Sequence, residues 1–308
     1  MSNEVPILVM AFSRPGHLQI LLDRLRDVEP QSVYFAVDGA RAEKLHEDER
    51  VAQCRQMIED IDWIPRKFTL FQDANLGCGR GVTTAITWFF DNEEAGIVLE
   101  DDIVPEPSFF PYCAELLDRY RDDQRVFAIS GCNFVPLEHQ SNPDLPYRFS
   151  QIPHIWGWAT WRDRWSHHRL DISGWQRQLP PWQLWQRTGR SISGATYWAS
   201  TFELLARGEV DTWDGQLVLA AMTKGQLTAT SNVNLVQNIG FDDLATHTVQ
   251  DRDELPNTQT IQLPLSEVAV ELDVHADAWT RRHHFRATPS GMMGQASRYL
   301  KQRLQSSE

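Results

Sequence analysis

Apolar and polar positions alternate in blocks along the first hundred residues. Val5 to Phe12 is an apolar run with Pro6 at its start and reads as a first buried strand. Ser13-Arg14-Pro15-Gly16 breaks it. From His17 to Val28, Leu18, Leu21, Leu22 and Leu25 fall at helical spacing. Ser32 to Val37 predicts a second strand ending at Asp38-Gly39, and Glu43 to Ile61 a polar amphipathic helix. Phe68 to Phe71 is a third short strand, Arg80 to Phe90 a helix, and Ile97 to Leu99 a fourth strand. Strands alternating with helices predict an α/β fold with a mostly parallel central sheet flanked by helices. Phe109 to Arg121 then reads as helix, Val126 to Ser130 as strand, Trp213-Asp214 to about Lys224 as helix and Leu227 to Val236 as strand. Between them lies an aromatic-rich half with Trp156, Trp158, Trp161, Trp165, Trp175, Trp182, Trp185 and Trp198. These are read mainly as core. Trp158 is singled out as a candidate acceptor contact. His167-His168 and His283-His284 are expected at the surface.

The fourth strand runs into three consecutive carboxylates, Glu100-Asp101-Asp102, before Pro105 and Pro107. Adjacent acids repel unless something positive sits among them. A hard divalent cation, Mn²⁺ or Mg²⁺, answers that need with carboxylate oxygens. In open α/β sheets, ligands bind just beyond the carboxyl ends of the strands, where these acids fall. Arg14, Asp38 and Arg80 follow other strands or open the next helix. An arginine fork suits a phosphate or a base edge. The loop Asn75 to Gly81 precedes a helix whose backbone N–H groups favour anions, and it lacks the Gly-Lys-Ser/Thr element of a Walker loop. Asp-Gly at 38–39 is equally a turn pair.

A chain of 308 residues, 42% hydrophobic and 23% charged, has room for one large domain or two small ones. The four cysteines form no Cys-x-x-Cys pair and read as reduced thiols. No stretch has the length of a transmembrane segment, and no basic start with an apolar core suggests export, so a cytoplasmic location is expected. The net charge of −13 argues against nonspecific nucleic-acid binding and against a basic membrane-surface patch.

Five stretches together resemble the GT-A glycosyltransferases, most closely the N-acetylglucosaminyltransferase I-like group and its small bacterial relatives. They are Pro6-Ile7-Leu8-Val9 through Arg14; Val98 to Asp102 with Phe109-Phe110-Pro111-Tyr112; Gly157-Trp158-Ala159-Thr160-Trp161; Trp213-Asp214; and Asn234 to Phe241 with Ala245-Thr246-His247-Thr248. The likeness covers residues 5 to 250. It implies a GT-A, Rossmann-like domain whose 1–105 half binds a nucleotide sugar and whose 106–250 half binds the acceptor and carries the base, with 251–308 as a C-terminal extension. It implies a metal-dependent transfer, inverting, from a nucleotide-diphosphate sugar donor (UDP-sugar favoured) to a hydroxyl of a glycan or glycoconjugate acceptor. Asp102 would be the metal ligand, joined by His247 from the C-terminal side. Glu100 and Asp101 would contact the donor's sugar or ribose, or bind water on the metal, and Arg14, Asp38 and Arg80 would contact the donor. Asp214 would be the general base, with Trp213 as an apolar wall beside it; Asp211 and Asp242-Asp243 compete for that role. A sugar-1-phosphate nucleotidyltransferase and a catalytically silent carbohydrate-binding protein remain as alternatives.

Overall fold

The computed structural model describes residues 4–240 and 256–288. Its centre is an eight-stranded sheet in the order β3-β2-β1-β4-β8-β6-β9-β7. In chain order the strands are β1 (Ile7–Ala11), β2 (Ser32–Val37), β3 (Arg66–Phe71), β4 (Ala95–Glu100), β5 (Ile103–Pro105), β6 (Val126–Ser130), β7 (Tyr147–Ser150), β8 (Trp158–Trp161), β9 (Leu227–Ser231) and β10 (Val236–Asn238). Neighbours β3, β2, β1 and β4 are parallel, as are β6 and β9. β8 runs antiparallel between β4 and β6, and β7 runs antiparallel at the edge beside β9. Every residue of β1, β2 and β6 is buried, the continuous apolar pattern of strands covered on both faces.

Alternate side chains of these strands serve two cores. Ile7, Val9, Val33, Phe35, Ile97 and Leu99 face one side. There they meet α1 (Pro15–Val28), α2 (Glu47–Glu59) and α4 (Phe109–Arg119). Leu8, Met10, Tyr34, Ala36 and Val98 face the other. They meet α3 (Cys78–Asn92), α5 (Arg162–Trp165) and α8 (Asp214–Lys224). A third cluster joins α6 (Pro181–Arg187) and α7 (Ile192–Ala206) to the outer face of α8 through Trp175, Trp198, Phe202, Val218 and Leu219.

The segment 256–288 is stitched to this body rather than peripheral to it. Arg119 donates to Leu265 O at 2.7 Å and Ser266 O at 3.0 Å. Asp273 caps α9 (Val274–His283) and accepts from Ser141 Oγ at 2.7 Å. Asp277 accepts from Ser150 Oγ at 2.7 Å and Gln151 N–H at 3.0 Å. His284 and Phe285 then pack against Phe134 and Trp198.

Candidate active site

β1 and β4 are parallel neighbours, so their carboxyl ends lie side by side. Arg14 follows β1 and Asp102 follows β4, and Arg14 Nη1 meets Asp102 Oδ2 at 2.8 Å. Glu100, at the tip of β4, is pushed up to about 8. Burial is the main cause, followed by Asp102, Asp101 and Asp214, with Arg14 pulling the other way. Asp101 is turned inward instead: it is buried, and its Oδ2 accepts the Phe12 N–H at 3.1 Å, bracing the two strand ends. The ribbon of β5 and β10 starts directly after the acids, and Ile239 N–H donates to Asp102 O at 2.9 Å. Gly240 comes so close that a Cβ there would collide with Asp102 Oδ2 and approach Arg14 Nη1 to 3.0 Å. Part of the stretch from Asn234 to Phe241 therefore presses on the carboxylates.

Asp214 opens α8, where a carboxylate is favoured by the helix N-terminus. Thr212 Oγ1 donates to its Oδ1 at 2.5 Å. One thiol locates the acids relative to each other. Cys78 is pushed up to about 12 by burial and by the charges of Glu100, Asp211, Asp214 and Asp38, in that order. Asp214 also lines a cleft of about 290 Å³ walled by Phe134, Trp156, Tyr197, Trp198 and Phe285. It thus borders the aromatic cavity, and its charge reaches Glu100.

Two other acids hold the backbone. Asp211 Oδ2 accepts the Cys78 N–H and Oδ1 the Gly79 N–H, each at 2.9 Å, so this carboxylate caps α3. Gly77 and Gly79 permit the approach: a Cβ would stand 2.5 Å and 2.7 Å from the Asp211 oxygens. The N–H groups read as an anion site thus already hold an anion from the chain itself. Asp38 is likewise engaged. Its oxygens accept from the Gly39 N–H at 2.9 Å, the Leu76 N–H at 3.0 Å and Asn75 Nδ2 at 3.1 Å. Through these contacts it fixes the β3–α3 loop. Arg80 is exposed in the first turn of α3, and its side chain makes no ion pair among the described residues. Asp211→Ala is expected to remove a cap worth about 0.5–2 kcal/mol and lower the midpoint of thermal unfolding. An unchanged melting temperature would show the cap to be dispensable.

The tryptophans sort differently from expectation. Trp158 and Trp213 are 1% and 2% exposed and stack on each other at 5.8 Å. Both are core indoles with no face exposed to an acceptor. Trp156 and Trp198 reach the cleft instead. Nothing in their local spacing distinguishes them from the core indoles. His168 is not at the surface: it is buried, stacks on Trp165 at 4.4 Å and donates from Nε2 to Trp213 O at 3.0 Å. It thereby holds the residue preceding Asp214. His284, also expected outside, lines the cleft. His247 and Asp242-Asp243 lie outside the described residues.

Burial pushes His168 down to about 4. The unfolded imidazole titrates near 6.5, so the folded state binds this proton less readily. The associated stability is complete above about pH 6.5 and is lost as pH falls towards 4. The full difference is about 3 kcal/mol. Chemical denaturation of the native chain and of His168→Phe across this range should show a steeper loss of stability in the native chain, with buried His154 leaving a residual slope in both. Parallel curves would assign the acid sensitivity elsewhere.

Among the described residues, no group of three or more His, Cys, Asp or Glu is arranged to hold a metal ion. The donor set fits a cation only as a shared site. Glu100 and Asp102 supply carboxylate oxygens, and the surplus negative charge evident at Glu100 favours a cation among them. The remaining ligands would come from substrate and water.

No family model matches the chain. Solved structures overlay parts of it. One is a UDP-glucose pyrophosphorylase complexed with UDP-glucose, at 11% identity over 74% of this chain and 90% of that one, with a TM-score of 0.36. Another is an inositol-1-phosphate CTP transferase from T. maritima, at 7% identity, 74% and 85% coverage and a TM-score of 0.36. A third is the apo WbbM bifunctional glycosyltransferase, at 8% identity, 72% and 38% coverage and a TM-score of 0.35. Likeness at this level leaves the chemistry to be argued from the site itself. No helix among the described residues is long and apolar enough to cross a membrane.

Proposed function

We propose that the chain is a glycosyltransferase that moves a sugar, with inversion, from a nucleotide-diphosphate donor, UDP-sugars favoured, to a hydroxyl of a glycan or glycoconjugate. The observation that carries this reading is the position of Asp214. Its side chain lines the aromatic cleft, and its charge is felt at Glu100, in the cluster with Arg14 and Asp102. A donor diphosphate at the strand ends and an acceptor ring in the cleft would then meet at that carboxylate.

In this reading the aromatic walls pack against the apolar face of the acceptor. Asp214 takes the proton of the acceptor hydroxyl as that oxygen bonds to the anomeric carbon. The bond from this carbon to the diphosphate breaks, and its electron pair leaves on the phosphate oxygen. Arg14 and the exposed Arg80 offer guanidinium groups to the departing diphosphate. Glu100 and Asp102 would hold a divalent cation, Mn²⁺ or Mg²⁺, which supplies charge neutralisation to that diphosphate when bound. Thr212 and His168 keep Asp214 and its backbone in place.

A thermal-shift screen of nucleoside diphosphates and sugar nucleotides, with and without Mn²⁺, tests the donor side, because ligands that bind the folded chain raise its apparent stability. A uridine or other nucleoside diphosphate that stabilises only with the cation supports the reading. Pyrophosphate release from a nucleoside triphosphate and a sugar phosphate would replace it with the nucleotidyltransferase alternative. Glycan binding without nucleotide binding would replace it with a carbohydrate-binding role.

A further inference from the structure

The turn joining α6 to α7 departs from the rest of the molecule in two ways. Trp182 is 63% exposed, Trp185 39% and Ile192 79%, while most other large apolar side chains are covered. Trp182 and Trp185 are three residues apart on α6 and share a face. The charge also reverses locally. Residues 172–202 contain Arg177, Arg187 and Arg190 and no Asp, Glu, Lys or His, in a chain of net charge −13. Arg190 lies over the Trp185 ring at 5.9 Å. Arg281 reaches the same turn from α9, with Nη1 donating to Thr188 O at 3.3 Å. Arg190 thus lies against a protruding indole, and Arg281 from a distant part of the sequence braces the same turn.

We propose that this turn docks on an anionic lipid surface. Indole rings settle at the headgroup level of bilayers, and arginines near such a surface add attraction to its phosphates. Apolar insertion and a basic patch are the two signals that stable peripheral attachment takes. Charge complementarity selects an anionic partner. The protruding side chains on a short helix and its turn suit insertion into a fluid interface. The chain-wide negative charge, which argued against such a patch, conceals a local excess of arginine, with Asp171 and Glu203 at the borders of the stretch.

The position has a consequence. Ile192 starts α7, and Tyr197 and Trp198 on the same helix line the aromatic cleft. Docking would bring that cleft to a membrane, so its occupant would be a lipid-borne hydroxyl compound. This last step rests on the proposed transfer reaction, whereas docking itself does not.

Co-sedimentation of the full chain with vesicles tests docking. Binding is expected to vesicles of equal parts phosphatidylcholine and phosphatidylglycerol and not to phosphatidylcholine alone. Replacing both Trp182 and Trp185 by Ala should weaken it about tenfold or more. Arg177→Gln and Arg190→Gln should each weaken it about fivefold. All four side chains are exposed, so melting temperatures should stay unchanged. Failure of the native chain to bind, equal binding to both vesicle types, or full binding by the folded variants would each overturn the proposal. The face would then be left to self-association or a protein partner. Nucleotide-sugar binding, measured separately by thermal shift, reports on the transferase reading whatever the vesicles show.

Discussion

Asp214→Asn is expected to bind a nucleotide sugar as the native chain does and to transfer its sugar about 10² to 10⁴ times more slowly. The substitution keeps the shape of the side chain, and its amide oxygen can still accept from Thr212 Oγ1, which donates at 2.5 Å in the native chain. What disappears is the ability to take a proton. Substrate positioning should survive, because the aromatic walls and the Arg14–Asp102 pair keep their contacts without that charge. The measurement is a pair: donor affinity by thermal shift, and transfer by release of the nucleoside diphosphate. A native rate in the variant removes Asp214 as the base. A loss of donor affinity equal to the loss of rate would instead place Asp214 in the donor site.

Asp102→Ala is expected to abolish cation-dependent stabilisation by a nucleoside diphosphate. Asp102 is the carboxylate that meets Arg14, at 2.8 Å, with both side chains mostly covered. Its loss removes one carboxylate partner of the guanidinium and takes oxygens from the shared cation site. The ligand-free fold should persist, because the pair lies at the edge of the core and contributes on the order of 1 kcal/mol. Glu100 offers a second readout. Asp102 is the largest charge acting on it after burial itself, so in the variant Glu100 should titrate below its native value of about 8. A pH titration followed by carboxyl NMR measures that fall. Retained Mn²⁺-dependent stabilisation would take the cation away from Asp102.

Elements with a continuous apolar pattern were legible in the sequence. β2 and β6 have the bounds expected from their runs of buried residues, and β1 and β4 differ only at their ends. α1 follows from leucine spacing, since Leu18, Leu21, Leu22 and Leu25 are all buried. β8 was not legible as a strand. It is buried on both faces between β4 and β6, so its four residues show no alternation, and its indoles look like sugar platforms. Only the topology reveals Trp158 as core. The convergence of Arg14 and Asp102 followed from two neighbouring strand ends. The roles of Asp38 and Asp211 did not. A carboxylate that accepts backbone N–H groups and one that awaits a ligand look alike in sequence. The surrounding loop decides, and residues more than a hundred positions away build it.

That separation bears on how the protein acquires its site. Cys78 pairs with Asp211 across 133 positions, and the ribbon of β5 with β10 joins residues of similar separation. Contacts this far apart form slowly, because a long stretch of chain must be closed before they pay back any energy. During synthesis the strands β1 to β4 can pair while the carboxylate tips still lack their cover. The candidate site is therefore among the last parts to mature, and an emerging chain lacks the cover that Gly240 gives Asp102 until translation has passed that residue.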